Sequence, residues 1–261
     1  MLKIFKFAKK YFTLIKEGYS LKDKIAITSY AFCFLLNRLS SYKIHNLVCD
    51  VTLKNKDGIF FCGNNIFAVW CGSSFHEQKL REYFNLNKGI FIDVGANIGK
   101  YAVMVGRRLK NKGKVIAFEP MHENFEILKK NIKLNDLDNV VIPLEVALGN
   151  REGNINFYID SEGIGGRHSL VKKTKNKIKV KVRKLDNVLK ELKIKRVDLI
   201  KIDVEGAEAE VLKGAVKTLK NYHPKIIFEA WDEDYLKKCK KVLDKFGYKV
   251  KKIDKMNYIA I

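Results

Sequence analysis

Glutamine is all but missing from this chain of 261 residues, with Gln78 the single example, and arginine is scarce: 8 against 43 lysines. Phosphates and base edges are read best by the planar arginine fork. The net charge of +22 is therefore a weak argument for a nucleic-acid partner. Lysine spread over solvated faces, as in a codon-biased or heat-adapted proteome, explains it as well. Apolar runs are short. The stretch IAITSYAFCFLL (25–36) has 12 residues, where a membrane span needs ~20, and no cleavable signal is evident. The five cysteines (Cys33, Cys49, Cys62, Cys71 and Cys239) form no CxxC pair and are odd in number, which argues against a zinc site or a disulfide framework. Reduced thiols and a cytoplasmic setting are expected. Internal repeats and low-complexity linkers are lacking too; the basic stretch 172–184 is the nearest thing to a charge run.

What is present suits a packed α/β protein. Hydrophobic residues make up 47% of the chain, enough for one large domain with a small extension. Residues 1–45 read as two helices. In MLKIFKFAKKYFTLIK (1–16), Ile4, Phe7, Ala8, Tyr11 and Ile15 share one helical face, with lysines around the rest. That face is expected to pack on the core; peripheral contact with an acidic bilayer through residues 1–16 is the alternative. NLVCDVTLKN and GIFFCGNNIFAVWC then read as strands joined at KDG, and HEQKLREYFNLNKG as a helix closing on Gly89. From residue 90 strands (IFIDV, KVIAFEP, NVVIPLEVAL, VDLIKIDVEG, PKIIFEAW) alternate with helices, AEAEVLKGAVKTLK among them. Such alternation predicts a mostly parallel sheet covered on both faces. The final strands, YKVKKI and NYIAI, lie close enough to pair antiparallel. The expected division is a helical and hairpin extension over 1–76 and a catalytic domain over 77–261.

Ligands of open α/β sheets bind beyond the carboxyl ends of the strands, where FIDVGANIGKYA (91–102) places its turn. Gly95 and Gly99 allow a tight bend, and Asn97 is a residue that tolerates left-handed backbone. A phosphate loop would need GxxxxGK followed by Ser or Thr; here Val94 stands at the first glycine and Tyr101 follows Lys100. The dinucleotide fingerprint GxGxxG is not matched either. An acid at Asp93, just inside the strand end, suits a cationic ligand such as the amino group of a methionine moiety. Glu119 ends the second strand of the series, where a carboxylate can accept both ribose hydroxyls of a nucleoside; capping the next helix is its other reading. KIDVEGAE brings Asp203, Glu205 and Glu208 to the end of a further strand, with Lys201 and Asp203 on one face. Glu208, one turn into the helix, reads as structural.

FIDVGANIGKYA, VIAFEP, NIKLND, VALGN, KLDNVL and VDLIKIDVEGAEAEVLKGA, in that order between about residues 77 and 230, resemble the FkbM family of methyltransferases. DVEGAE shortly after LD is the most specific piece, and the N-terminal quarter does not carry the resemblance. It implies the class I methyltransferase fold: a Rossmann-like, mostly parallel seven-stranded sheet with a C-terminal antiparallel strand. It implies S-adenosyl-L-methionine as cofactor and methyl transfer to a hydroxyl of a sugar, glycan, glycolipid or other secondary metabolite. Carried over by motif, Asp93, Gly95, Asn97 and Gly99 line the methionine and ribose side, Glu119 holds the ribose, and Glu145, Val146 and Ala147 border the adenine. Asp203 and Glu205 face the methyl group and the acceptor.

Transfer to an alcohol needs alignment and a base for the hydroxyl proton. Asp203 is the first candidate base and Glu205 the second. The third is His168, in the glycine-rich SEGIGGRHSL, where an exposed loop histidine is the competing reading. Glu229, ending IIFEAW, could also reach the acceptor. No metal is assigned. Two other functions stay open. An RNA methyltransferase would use the same sheet and the positive charge, but no NPPY-type tetrapeptide follows the KID strand and no RNA-binding appendage is recognisable. A non-enzymatic protein at a membrane surface rests on residues 1–16 alone. Oligomeric state is not readable from the sequence.

Overall fold

Apolar strand runs of the second half assemble into one sheet because each has side chains to bury on both faces. A computed structural model describes residues 2–37, 46–159, 168–169 and 176–261, with side chains described over 9–32, 49–156 and 177–261. In chain order the elements are α1 (Leu2–Glu17), α2 (Leu21–Asn37), β1 (Asn46–Asn55), β2 (Gly58–Asn65), α3 (Ile66–Gly72), β3 (Gly89–Val94), α4 (Lys100–Leu109), β4 (Gly113–Phe118), α5 (His122–Leu134), β5 (Val141–Leu144), β6 (Ala147–Leu148), β7 (Gly153–Ile159), β8 (His168–Ser169), β9 (Asn176–Arg183), α6 (Leu185–Glu191), β10 (Leu199–Ile202), α7 (Glu208–Lys213), α8 (Val216–Tyr222), β11 (Lys225–Glu229), α9 (Glu233–Leu243), β12 (Val250–Lys252) and β13 (Asn257–Ala260).

The main sheet has seven strands in the order β12-β13-β11-β10-β3-β4-β5. β3, β4, β5, β10 and β11 run parallel, and β13 is antiparallel to both its neighbours. This is the sheet expected of a class I methyltransferase. The strand order turns back between β3 and β10, so the crevice for a ligand lies at their carboxyl ends.

Alternation along each strand sorts the core into two. Ile92, Val94, Ile116, Phe118, Ile200, Ile202, Ile226 and Phe228 point to a layer covered by α6–α9. Phe91, Val115, Ala117, Leu199 and Ile227 point to the other, which is continuous with α4, α5, the β1–β2 hairpin and α1–α2. Asp93 and Lys201 stand in register on this second face, deep in the apolar layer. The hairpin is fastened there by two asparagines one turn apart, Asn131 on α5 and Asn135 at its C-cap. Asn131 exchanges hydrogen bonds with both backbone groups of Phe61, and Asn135 with both of Ile59.

Four local expectations change. FAVWC is not strand but α3, because the Asn65 side chain caps the amides of Phe67 and Ala68 and starts a helix. The helix expected over HEQKLREYFNLNKG is a 3-10 segment, Gln78–Phe84, entered through Glu77 in left-handed backbone. NVVIPLEVAL divides: Val146 N–H turns back onto the Leu144 carbonyl at 3.0 Å, and β6 leaves the main sheet to pair with β9. AEAEVLKGAVKTLK breaks into α7 and α8 at Gly214, whose missing Cβ would lie 2.0 Å from the Gly149 carbonyl.

Candidate active site

The turn after β3 is held by the strand beside it. Gly95 and Ala96 N–H both donate to the Phe118 carbonyl, at 3.0 and 2.9 Å. Asn97 N–H donates to Glu119 Oε2 at 2.8 Å, Ile98 N–H to Asn97 Oδ1 at 2.7 Å and Gly99 N–H to the Ala96 carbonyl at 2.8 Å. A phosphate loop works through free amides; here each amide from Gly95 to Gly99 has an acceptor within the chain. The path requires left-handed backbone at Gly95, Asn97 and Gly99, with φ of 81°, 51° and 88°. A Cβ on Gly95 would sit 1.9 Å from the Asp203 carbonyl, so the turn and the end of β10 touch backbone to backbone.

Glu119 is buried and uses one oxygen on Asn97 N–H and the other on Met121 N–H, at 3.0 Å. Burial pushes its carboxyl up to about 7 against these two amides. The Asn124 side chain also favours the ionised carboxylate, and acceptor capacity remains beyond these three donors. Asp93 is fully buried, and neither oxygen has a hydrogen-bond partner; the Ala102 amide at the start of α4 lowers its pKa without making a bond of ordinary geometry. Burial raises this carboxyl to about 6, opposed by the charge of Lys201.

A cavity of about 920 Å³ opens at these strand ends. Gly95, Asn97, Glu119, Val146, Ala147, Asp203 and Glu205 lie on its wall together. Asp93 and Gly99 stand behind the wall, Gly99 as the cap residue of α4. Glu145 is turned outward and paired with His122 at 2.9 Å. The His168 backbone pairs with Ile159, and its side chain lies outside the described residues.

Beside the turn, Lys201 Nζ donates to Asp203 Oδ2 at 2.7 Å. Lys201 also lies 4.7 Å from the Tyr101 ring centre. Tyr101 donates its hydroxyl to Glu77, whose carboxylate is 3.3 Å from His76 Nε2. Burial opposes ionisation of Glu77, but His76, Tyr101 and Lys201 outweigh it and hold the carboxyl well below its usual range. Lys100 reaches the carbonyls of Ser73 and His76, and burial lowers its ammonium to about 8. Glu229 is raised to about 8, first by burial and then by the charges of Asp203 and Glu205, so three carboxylates converge. Glu208 accepts Val204 and Gly206 N–H at 3.1 and 3.2 Å and holds the β10–α7 loop, a structural task. The sequence reading missed His76, Glu77, Lys100 and Tyr101. The signal available was an acid next to a histidine in the segment leading to β3. Among the described residues no group of three His, Cys, Asp or Glu is arranged to hold a metal ion.

The sheet, its switch point and an acid-lined cavity behind an amide-saturated turn define a methyltransferase of the class that uses S-adenosyl-L-methionine. The residues fit that cofactor: a buried acid without a donor suits a cationic tail, the Gly95 position admits close approach, and Glu119 has acceptor capacity left. The sequence profile described as the methyltransferase FkbM domain matches residues 93–250, more than half of the chain, and the chain belongs to the FkbM family of methyltransferases. It is similar to methyltransferase sdnD of Sordaria araneosa, 30% identical over 57% of this chain and 69% of that protein. Hexuronic acid methyltransferase AglP of Haloferax volcanii is 32% identical over 49% of this chain and 51% of its own. For the 2-O-methyltransferase NoeI of Sinorhizobium fredii the values are 29%, 50% and 58%. The chain thus spans little more than half the length of these last two relatives.

Proposed function

We propose that the protein transfers the methyl group of S-adenosylmethionine to an oxygen, a hydroxyl of a sugar, glycan or glycolipid. The observation that carries this reading is the meeting of Asp203, Glu205 and Glu229 in the cavity that Glu119 also lines. Two similar proteins support it by their names, one a hexuronic acid methyltransferase and one a 2-O-methyltransferase. A hexuronic acid carries hydroxyl and carboxyl oxygens and no nitrogen, so oxygen is the acceptor atom to expect.

S-adenosylmethionine, when bound, supplies a methyl group on a positively charged sulfur. The residues of the chain do the rest. Glu119 accepts the ribose hydroxyls on the acceptor capacity that the Asn97 and Met121 amides and the Asn124 side chain leave over. Asp93 balances the ammonium of the methionine tail, directly or through water, across the turn. Val146 and Ala147 give an apolar edge for the adenine. Asp203 takes the proton of the acceptor hydroxyl as the oxygen–carbon bond forms, and Lys201 fixes its carboxylate in place. Among the described residues lining the cavity, Glu205, Glu229 and the His76–Glu77 pair are further candidates for that proton.

A transfer assay with labelled methyl tests the proposal against uronic acids, neutral sugars, their lipid-linked forms and tRNA. An alkali-stable methyl ether on a sugar is the expected product. An alkali-labile ester would move the acceptor to the carboxylate, and label confined to tRNA would replace the sugar reading by the RNA one that the charge of +22 invites.

A further inference from the structure

Helix α2 turns an apolar stripe outward. Leu21, Ile25 and Phe32 are each more than half exposed, and with Thr28 they recur at the spacing of one helical face. Phe12 of α1 and Tyr19 in the connecting turn add two aromatic rings, also more than half exposed. Large apolar side chains grouped in this way mark a surface that something covers.

The charges around the stripe say what covers it. Over residues 9–32 the exposed charged residues are Lys9, Lys10, Lys16, Lys22 and Lys24. The two acids of the segment are buried and committed elsewhere: Glu17 accepts Ser74 and Asn55, and Asp23 accepts Ser20 and Thr52. Lys16 Nζ lies 4.4 Å from the Phe12 ring centre and Lys54 Nζ 5.5 Å from that of Tyr19. An apolar face whose own helices expose only cations over residues 9–32 disfavours a second copy of itself in a two-fold pair. It suits an anionic bilayer, which takes the apolar side chains at the acyl boundary and the lysines at the headgroups.

We infer that α1 and α2 form a peripheral docking face for an anionic lipid surface, centred on Leu21, Ile25 and Phe32. This is a different face from the one the 1–16 pattern suggested, which buries Tyr11 and packs Ile15 against the core. Glu17, at the end of α1, holds Ser74 two residues before His76 on the cavity wall, so docking would bring a lipid-borne acceptor to the molecule that carries the site.

The full chain is mixed with vesicles of phosphatidylglycerol and phosphatidylcholine, or of phosphatidylcholine alone, and sedimented. Partition to the anionic vesicles only is expected. Ile25→Asp with Phe32→Asp, and separately Lys22→Glu with Lys24→Glu, should each lower it about tenfold or more. All four positions are solvent-exposed, and unchanged circular dichroism and S-adenosylhomocysteine binding would show that the variants fold. The inference is overturned if the wild type does not partition. It is equally overturned if both variants bind as the wild type does, which would assign binding to lysines elsewhere. A dimer in sedimentation velocity, dissolved by Ile25→Asp with Phe32→Asp and seen without lipid binding, would make the occupant a second copy. None of these results bears on the methyl-transfer reading, which S-adenosylhomocysteine binding and the labelled-methyl assay report separately.

Discussion

Lys201 Nζ donates to Asp203 Oδ2 at 2.7 Å, with the lysine buried and the aspartate about one-third exposed at the cavity. The pair separates two tasks within three residues of one strand. The lysine is locked among Asp93, Tyr101 and Glu77, and the carboxylate it holds faces the acceptor space.

Replacing Asp203 by Asn keeps the shape and removes the base. Turnover is expected to fall roughly a hundredfold or more, while the affinity for S-adenosylhomocysteine stays within about threefold, since the nucleoside contacts lie elsewhere. Single-turnover kinetics beside a binding isotherm separate the two. Equal losses in both would move Asp203 from the chemistry to the cofactor pocket.

Gly95 carries the closest backbone contact of the site. Ala at this position combines φ of 81° with a Cβ 1.9 Å from the Asp203 carbonyl. A loss of at least about 2 kcal/mol in urea unfolding is expected. A stability equal to wild type would mean that the turn and the end of β10 can part without cost.

Glu208 offers a pH test of its structural role. Burial raises its carboxyl to about 7 in the fold, against backbone hydrogen bonds that favour ionisation; its ordinary value is 4.5. The folded state therefore binds the proton more tightly than the unfolded chain. The stability this contributes is complete below about pH 4.5 and is lost as the pH rises through 7. Glu208→Gln keeps an acceptor for Val204 and Gly206 without titrating. Relative to this variant, the wild type should lose unfolding free energy between pH 5 and 8. Parallel curves would contradict the assignment.

The parallel part of the sheet was legible because the runs that form β3, β4, β10 and β11 are apolar on both faces and alternate with helices, and its seven strands match what the family resemblance implied. The turn at residues 95–99 was legible because its glycines directly follow the buried run IFIDV, and Asn97 does adopt left-handed backbone. What escaped was governed by contacts that are distant in sequence or by a single polar atom. Asn65 converts an apolar strand pattern into α3. The Val146 amide turns the chain out of the main sheet, which leaves Glu145 facing solvent while its two successors face the cavity. Tyr101, Glu77 and His76 meet Lys201 across about a hundred residues of chain, and no local spacing announces such a cluster.

Glu119 ties the turn to the cavity, and calorimetry with S-adenosylhomocysteine, repeated on Glu119→Ala, tests that most directly. The expected result is firm binding by the wild type, no comparable binding of ATP or NAD, and an affinity lower by about tenfold to a hundredfold in the variant, the cost of a lost charged hydrogen bond. Unchanged affinity in Glu119→Ala, or preference for a phosphate-bearing nucleotide, would contradict the placement of the nucleoside at this carboxylate.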